Sequence, residues 1–146
     1  MSISDLYNGI YSVLSNDATV LSYLGITDED ELGKANHIQK RAKPQGLDKN
    51  MPLITFYAIS GYRENSNSEA YVTNFVFAIY TEDDIELAHK IAQRIIDLFE
   101  GEFIPFNNMV NFQPLFTSAA ETESDSPNIY SFSVVIQFYM SMEKVY

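Results

Sequence analysis

The chain has 146 residues, a formal charge of −11 and no cysteine. That length suits one domain with a core of its own, which removes roughly 70% of the unfolded surface from water, and the missing cysteine excludes disulfide frameworks, thiolate zinc sites and cysteine nucleophiles. The acidic excess opposes affinity for a phosphate backbone, because that binding depends on cations displacing counterions, although a surface that DNA must slide past would be acidic as well.

The opening "MSISDLYNGIYSVL" carries an acid where an export signal carries lysines, and no apolar run approaches the roughly 20 residues that span a bilayer. The sequence therefore reads as a soluble, unexported protein. Ser2 and Asp5 form a helix start, and Ile3, Leu6, Ile10, Val13 and Leu14 recur at helical spacing to about Ser15. Asn16 and Asp17 offer a fresh cap for a short second helix with Val20, Leu21 and Leu24, which Gly25 ends. From Thr27 to Asn50 the composition turns polar and predicts loop, or a short edge strand at Ile38 followed by loop. Five of the nine cations, Lys34, Lys40, Arg41, Lys43 and Lys49, fall there.

Pro52 opens "LITFYAIS", a β-rich run with both faces apolar, and "GYRENSNSEA" predicts a long polar hairpin loop leading to the next strand. In that strand, "AYVTNFVFAIYT", Tyr71, Phe75, Phe77 and Ile79 alternate with Val72, Val76, Ala78 and Tyr80, so both faces need cover. Thr81 and Asp84 start a helix whose buried stripe is Ile85, Ala88, Ile91, Ala92, Ile95 and Phe99, with Gly101 as its stop. "MVNFQPLFTSA" reads as a strand that Pro114 confines to an edge or a bulge, and "ETESDSPN" as an acidic loop. The last run, Ile129 to Glu143, alternates Tyr130, Phe132, Val134, Ile136 and Phe138 against Ser131, Ser133 and Gln137.

This order predicts an α+β domain over residues 1–146: a mainly antiparallel sheet of about four to five strands with two main helices packed on one face. Little of the chain remains for the other face.

Chemistry-bearing patterns are sparse. His37 and His89 stand alone, without a second ligand at metal spacing or a triad partner. "DEDELG" resembles a calcium loop only at its start, since Leu32 and Gln39 occupy places that need oxygen ligands. No phosphate-cradling or nucleophile-elbow motif occurs, and the carboxylates of "TEDDIE" suit a helix dipole. No catalytic, cofactor or metal site is therefore assigned. Lys40, Arg41 and Lys43 form the one basic patch, a solubilising loop or a contact for an acidic neighbour or passing DNA. The ten tyrosines and ten phenylalanines suit surfaces buried on assembly.

The stretches "LYNGIYSVLSNDATVLSYLG", "KRAKP" before "MPLITFYAIS", "FVFAIYTEDDIELAHKIAQRIIDLFEG" and "YSFSVVIQFYM" together span most of the chain. In pattern and order they resemble the tail-terminator or tail-completion proteins of tailed bacteriophages. The resemblance implies a non-enzymatic structural protein of the virion tail or neck, assembled in the host cytoplasm. It implies a homo-oligomeric ring, commonly hexameric, that contacts the tail tube protein and the head-tail connector protein, with DNA crossing an acidic lumen without specific binding and with no membrane partner. On this reading Tyr71, Phe75, Tyr80, Phe132 and Phe138 serve core or subunit packing, while Lys40, Arg41, Lys43 and the 62–69 loop, with Tyr62 and Arg63, meet partners. Two rivals stand beside it: another neck or tube component, and a small ligand-binding or enzymatic sandwich with an apolar pocket on the second sheet face.

Overall fold

A computed structural model of the chain describes residues 3–59, 62–63, 70–102, 114–124 and 126–141. The first helix, α1 (Ile3–Ser15), buries Leu6, Ile10 and Leu14 along one stripe. Asp17 then caps α2 (Ala18–Leu24) by accepting from Val20 N at 3.0 Å, and Gly25 closes it at φ 73 with its N–H on the Leu21 and Ser22 carbonyls.

A third helix, α3 (Glu31–His37), lies where the polar composition predicts loop. Asp30 makes it: its carboxylate accepts from Gly33 N at 2.9 Å, and Asp28 and Glu31 hold the Lys34 ammonium at 3.1 and 3.5 Å. The acidic turn thus acts as a helix start. The Lys34 stem is buried while its charge reaches exposed carboxylates, which raise its pKa.

The strands are β1 (Ile38–Gln39), β2 (Leu53–Ala58), β3 (Tyr62–Arg63), β4 (Ala70–Thr81), β5 (Leu115–Thr122) and β6 (Tyr130–Ser141), with α4 (Ile85–Phe99) between β4 and β5. They form one sheet in the order β1-β2-β4-β6-β5, with β3 pairing β4 off this path. Every pairing is antiparallel except β1 with β2. The fold is α+β.

Pairing register sorts the side chains into two faces. Toward the helices point Ile54 and Phe56 of β2, Phe75, Phe77 and Ile79 of β4, and Val134, Ile136 and Phe138 of β6, all in the core with Ile10, Leu14, Ile91, Ile95 and Phe99. Five fully buried phenylalanine rings close on themselves there: Phe56 to Phe77 to Phe99 to Phe138 to Phe75 and back, at 5.4–6.4 Å between centroids.

The second face corrects an expectation. Val72, Val76 and Ala78, which by alternation await a cover from outside, are 0%, 9% and 4% exposed in the single chain, as are Leu53 and Thr55 at 0%. Segment 43–47 contributes, since Lys43, Pro44 and Leu47 line one hollow with Tyr80. What stays open is an edge. All eight residues of β5 are exposed on both faces.

Strand bounds also shift. β5 continues through Glu121 and Thr122, which the sequence assigns to loop, while residues 109–113 of that strand expectation lie outside the described residues. Pro114 precedes the strand, and a register irregularity follows between Phe116 and Ser118. β6 spans Tyr130–Ser141, and residues 142–143 of the expected last strand, like residues 64–69 of the polar hairpin, lie outside the described residues.

Candidate assembly interface

The basic patch is built on the β1 edge. Gln39 is 8% exposed and fixes the segment that follows: its Nε2 donates to the Asn36 and Gln45 carbonyls at 2.9 and 2.8 Å, and its Oε1 accepts from Gln45 N at 2.8 Å. Gly46 turns at φ 65, where its carbonyl accepts from the Lys49 and Asn50 N–H groups. Out of this frame Lys40 reaches Asn8 Oδ1 at 2.6 Å and stands 5.0 Å over the Tyr11 ring, while Arg41 donates to Gln45 Oε1 at 3.2 Å. Tyr11, Ile38, Lys40 and Arg41 share an open cleft of about 500 Å³. Among the described residues no carboxylate lies within ion-pair distance of Lys40, Arg41, Lys43 or Lys49. Lys34, by contrast, is fully engaged.

The opposite edge is acidic. Glu121 and Glu123 share a hollow of about 710 Å³ with Asp83, Ile85 and Tyr130. None of the three carboxylates has an ion-pair partner among the described residues, and Ile85 is 51% exposed beside them. Desolvation first, and the Glu121 charge second, push the Tyr130 hydroxyl pKa up. The Tyr130 hydroxyl meets His89 Nε2 at 2.9 Å.

The two edges end the same rows of the sheet. Ile38 stands opposite Ile54, Ile54 opposite Ile79, Ile79 opposite Phe132, and Phe132 opposite Glu121. The next row runs Gln39, Thr55, Ala78, Ser133, Ala120. Four strand spacings separate its ends, about 19 Å.

The other residues singled out by sequence are dispersed. Phe75 and Phe138 are fully buried in the helix-side core, out of reach of any neighbour. Tyr71 and Phe132 are half-buried against that core, and the Phe132 ring meets His89 edge-on at 4.9 Å. Tyr80 is half-buried on the second face across a hollow from Lys43 and Glu123. Tyr62 and Arg63 form β3, opposite Val72 and Tyr71. Sequence reasoning missed Asp83, Glu121, Glu123 and the anchoring role of Gln39. Their acidity was visible, but each acid had a local explanation, and only strand order sets them across the sheet from the β1 edge.

Among the described residues no group of three or more His, Asp or Glu side chains is placed to hold a metal ion, and no helix is long and apolar enough to cross a membrane. The described residues form a mainly antiparallel α+β sandwich, with four helices among them and chemically opposed sheet edges. No family model and no curated protein matches the sequence. Among solved structures it is similar to a chain in the virion of a native gene transfer agent particle, at 13% identity and a TM-score of 0.72, covering 93% of this chain and 94% of that one. The two share a fold over nearly their full lengths.

Proposed function

We propose that this protein is a non-enzymatic structural subunit of a phage-like virion, and specifically a tail terminator: a ring, of six copies on the family resemblance, that ends the tail tube and joins it to the head connector. The observation that carries the reading is the near-complete fold match, at a TM-score of 0.72, to a chain of a gene transfer agent virion. Two features support it. The charge of −11 suits a lumen through which DNA passes without arrest. The hollows lie open and hold no converging catalytic groups among the described residues, which suits work done by surfaces instead of turnover. Such a ring uses a heterologous contact, so its two faces differ and each can match a different partner.

The test adds purified protein to isolated tail tubes lacking it and follows tube ends by electron microscopy. Tubes that gain a terminal ring, stop growing and become competent to join heads support the role. Incorporation along the whole tube would identify a tube subunit and overturn the terminator reading.

A further inference from the structure

Three features on the β1 edge face three on the β5 edge. The β1 edge offers a cleft lined by Tyr11, Ala35 and Ile38 beside polar side chains and the cations Lys40 and Arg41. The β5 edge offers an exposed apolar knob, Ile85, flanked by Asp83 and Glu121. The row containing Ile38, two residues before Lys40, ends at Glu121, so Lys40 and Glu121 border the same strand rows. Both lie on the side of the sheet that carries the helices: Lys40 contacts Asn8 and Tyr11 of α1, and Glu121 shares its hollow with Ile85, the first residue of α4.

We propose that the occupant of the Lys40–Arg41 cleft is a second copy of this chain, docked through the Ile85, Asp83 and Glu121 surface at its β5 edge. This deepens the assembly role proposed above and rests on it. One patch meets a different patch, so the contact repeats in one direction and generates a ring or filament instead of a twofold dimer. The β5 edge is suited to this because, among the described residues, its strand pairs on one side only and all its side chains are exposed. At its start the Phe116 N–H is already capped by Glu100, leaving the Ser118–Thr122 half open. The β1 edge holds only two paired residues, so side chains, not a continued ladder, carry the contact.

Net charge does not forbid it. At about 0.15 M salt the Debye length is about 8 Å, under half the sheet width of about 19 Å, so repulsion between whole chains is damped while charges in contact still attract.

The experiment mixes two variants. Lys40→Glu with Arg41→Glu makes both edges acidic; Glu121→Lys with Asp83→Asn and Glu123→Gln makes both basic. All five side chains are exposed, and circular dichroism checks that each variant folds. In sedimentation at about 0.15 M salt up to millimolar protein, wild type associates, each variant alone stays monomeric, and their equimolar mixture recovers association. Ile85→Ala in wild type weakens association about tenfold or more, the loss expected for one buried aliphatic anchor. Because the chain has no cysteine, Arg41→Cys and Glu121→Cys chains joined by a short bismaleimide trap the contact even if it is weak. Crosslinks between residues 41 and 121 support the proposal. A monomeric wild type without 41–121 crosslinks, a variant that associates as wild type does, a mixture that stays monomeric, or crosslinks of 121 to 121 alone each overturn it. Rings that form by another surface and still cap tubes would end this inference and leave the terminator role standing; edge contacts that form without any effect on tubes would do the reverse.

Discussion

Asp17 joins two tasks in one carboxylate, and separating them tests how the helical layer is held. Its Oδ2 accepts from Val20 N at 3.0 Å as the α2 cap, and the same group takes a two-pronged contact from Arg94 of α4, Nε to Oδ2 at 3.0 Å and Nη2 to Oδ1 at 2.7 Å. A lost N-cap costs about 1 kcal/mol, within a range of about 0.5–2. The forked ion pair would be worth more if sealed, but the Arg94 side chain is 34% exposed, so about 1 kcal/mol is the expected value. Asp17→Ala should therefore destabilise by about 2 kcal/mol, while Asp17→Ser, which keeps a capping oxygen, and Arg94→Met, which keeps the packed stem, should each cost about 1 kcal/mol. For a chain of this length that is roughly 2–4 °C of Tm per kcal/mol.

The Arg94 hydrogen bond is also the main cause holding the Asp17 carboxyl below the usual carboxylate range. A depressed folded pKa means this stabilisation is complete above the unfolded value of about 3.9 and disappears as pH falls through the folded value. Thermal melts from about pH 7 down to pH 2 should show wild type converging on Arg94→Met below about pH 4. If Asp17→Ser and Asp17→Ala melt together, the cap contributes nothing and the division proposed is wrong. If the wild type and Arg94→Met curves stay parallel to pH 2, the ion pair does not titrate as argued.

Three further outcomes follow from single residues. Thr55 Oγ1 is buried without a hydrogen-bond partner among the described residues, so Thr55→Val should stabilise by about 1 kcal/mol, read as a higher urea midpoint at unchanged m-value. Gln39→Ala removes the three hydrogen bonds that frame the 40–50 segment; it should cost about 1–3 kcal/mol and raise amide exchange in that segment more than in β4. Phe99→Ala opens the closed set of phenylalanine rings and should cost about 3–5 kcal/mol in chemical denaturation, whereas a loss under about 1 kcal/mol would mean the core there is not packed as described.

The legible parts of the fold are those where one periodicity dominates. The α4 stripe and the alternation of Phe132, Val134, Ile136 and Phe138 each have a single reading, and the structure has both except at Ile85, which was expected in the stripe but stands exposed in the first turn of the helix. The α3 helix was illegible because its seven residues, ELGKANH, carry no apolar stripe; a cap at Asp30 and a lysine bridged to two acids support it instead. The second sheet face misled for a related reason. Alternation tells that Val72, Val76 and Ala78 share a face, but not that a polar segment such as 43–47 folds back toward it.

With the second face covered, the surface left open to a neighbour is the edge. A second face of bare valines would have demanded a partner simply to stay soluble. Here the buried face satisfies itself, and what remains without an ion pair among the described residues is charge of opposite sign at the two sheet edges, about 19 Å apart. Hydrophobic need alone would favour any neighbour that hides surface. Opposite charge is selective, because a copy turned so that like edges meet sets Lys40 and Arg41 against cations, or Asp83 and Glu121 against carboxylates, and meets repulsion instead of attraction. A subunit built this way can remain a monomer, as the serine, alanine and glutamate of the Ser118–Glu121 stretch allow, and still join like copies in one orientation. The charge-reversal mixture separates this account from one driven by apolar burial, since exchanging sign on both partners would leave a purely hydrophobic contact indifferent.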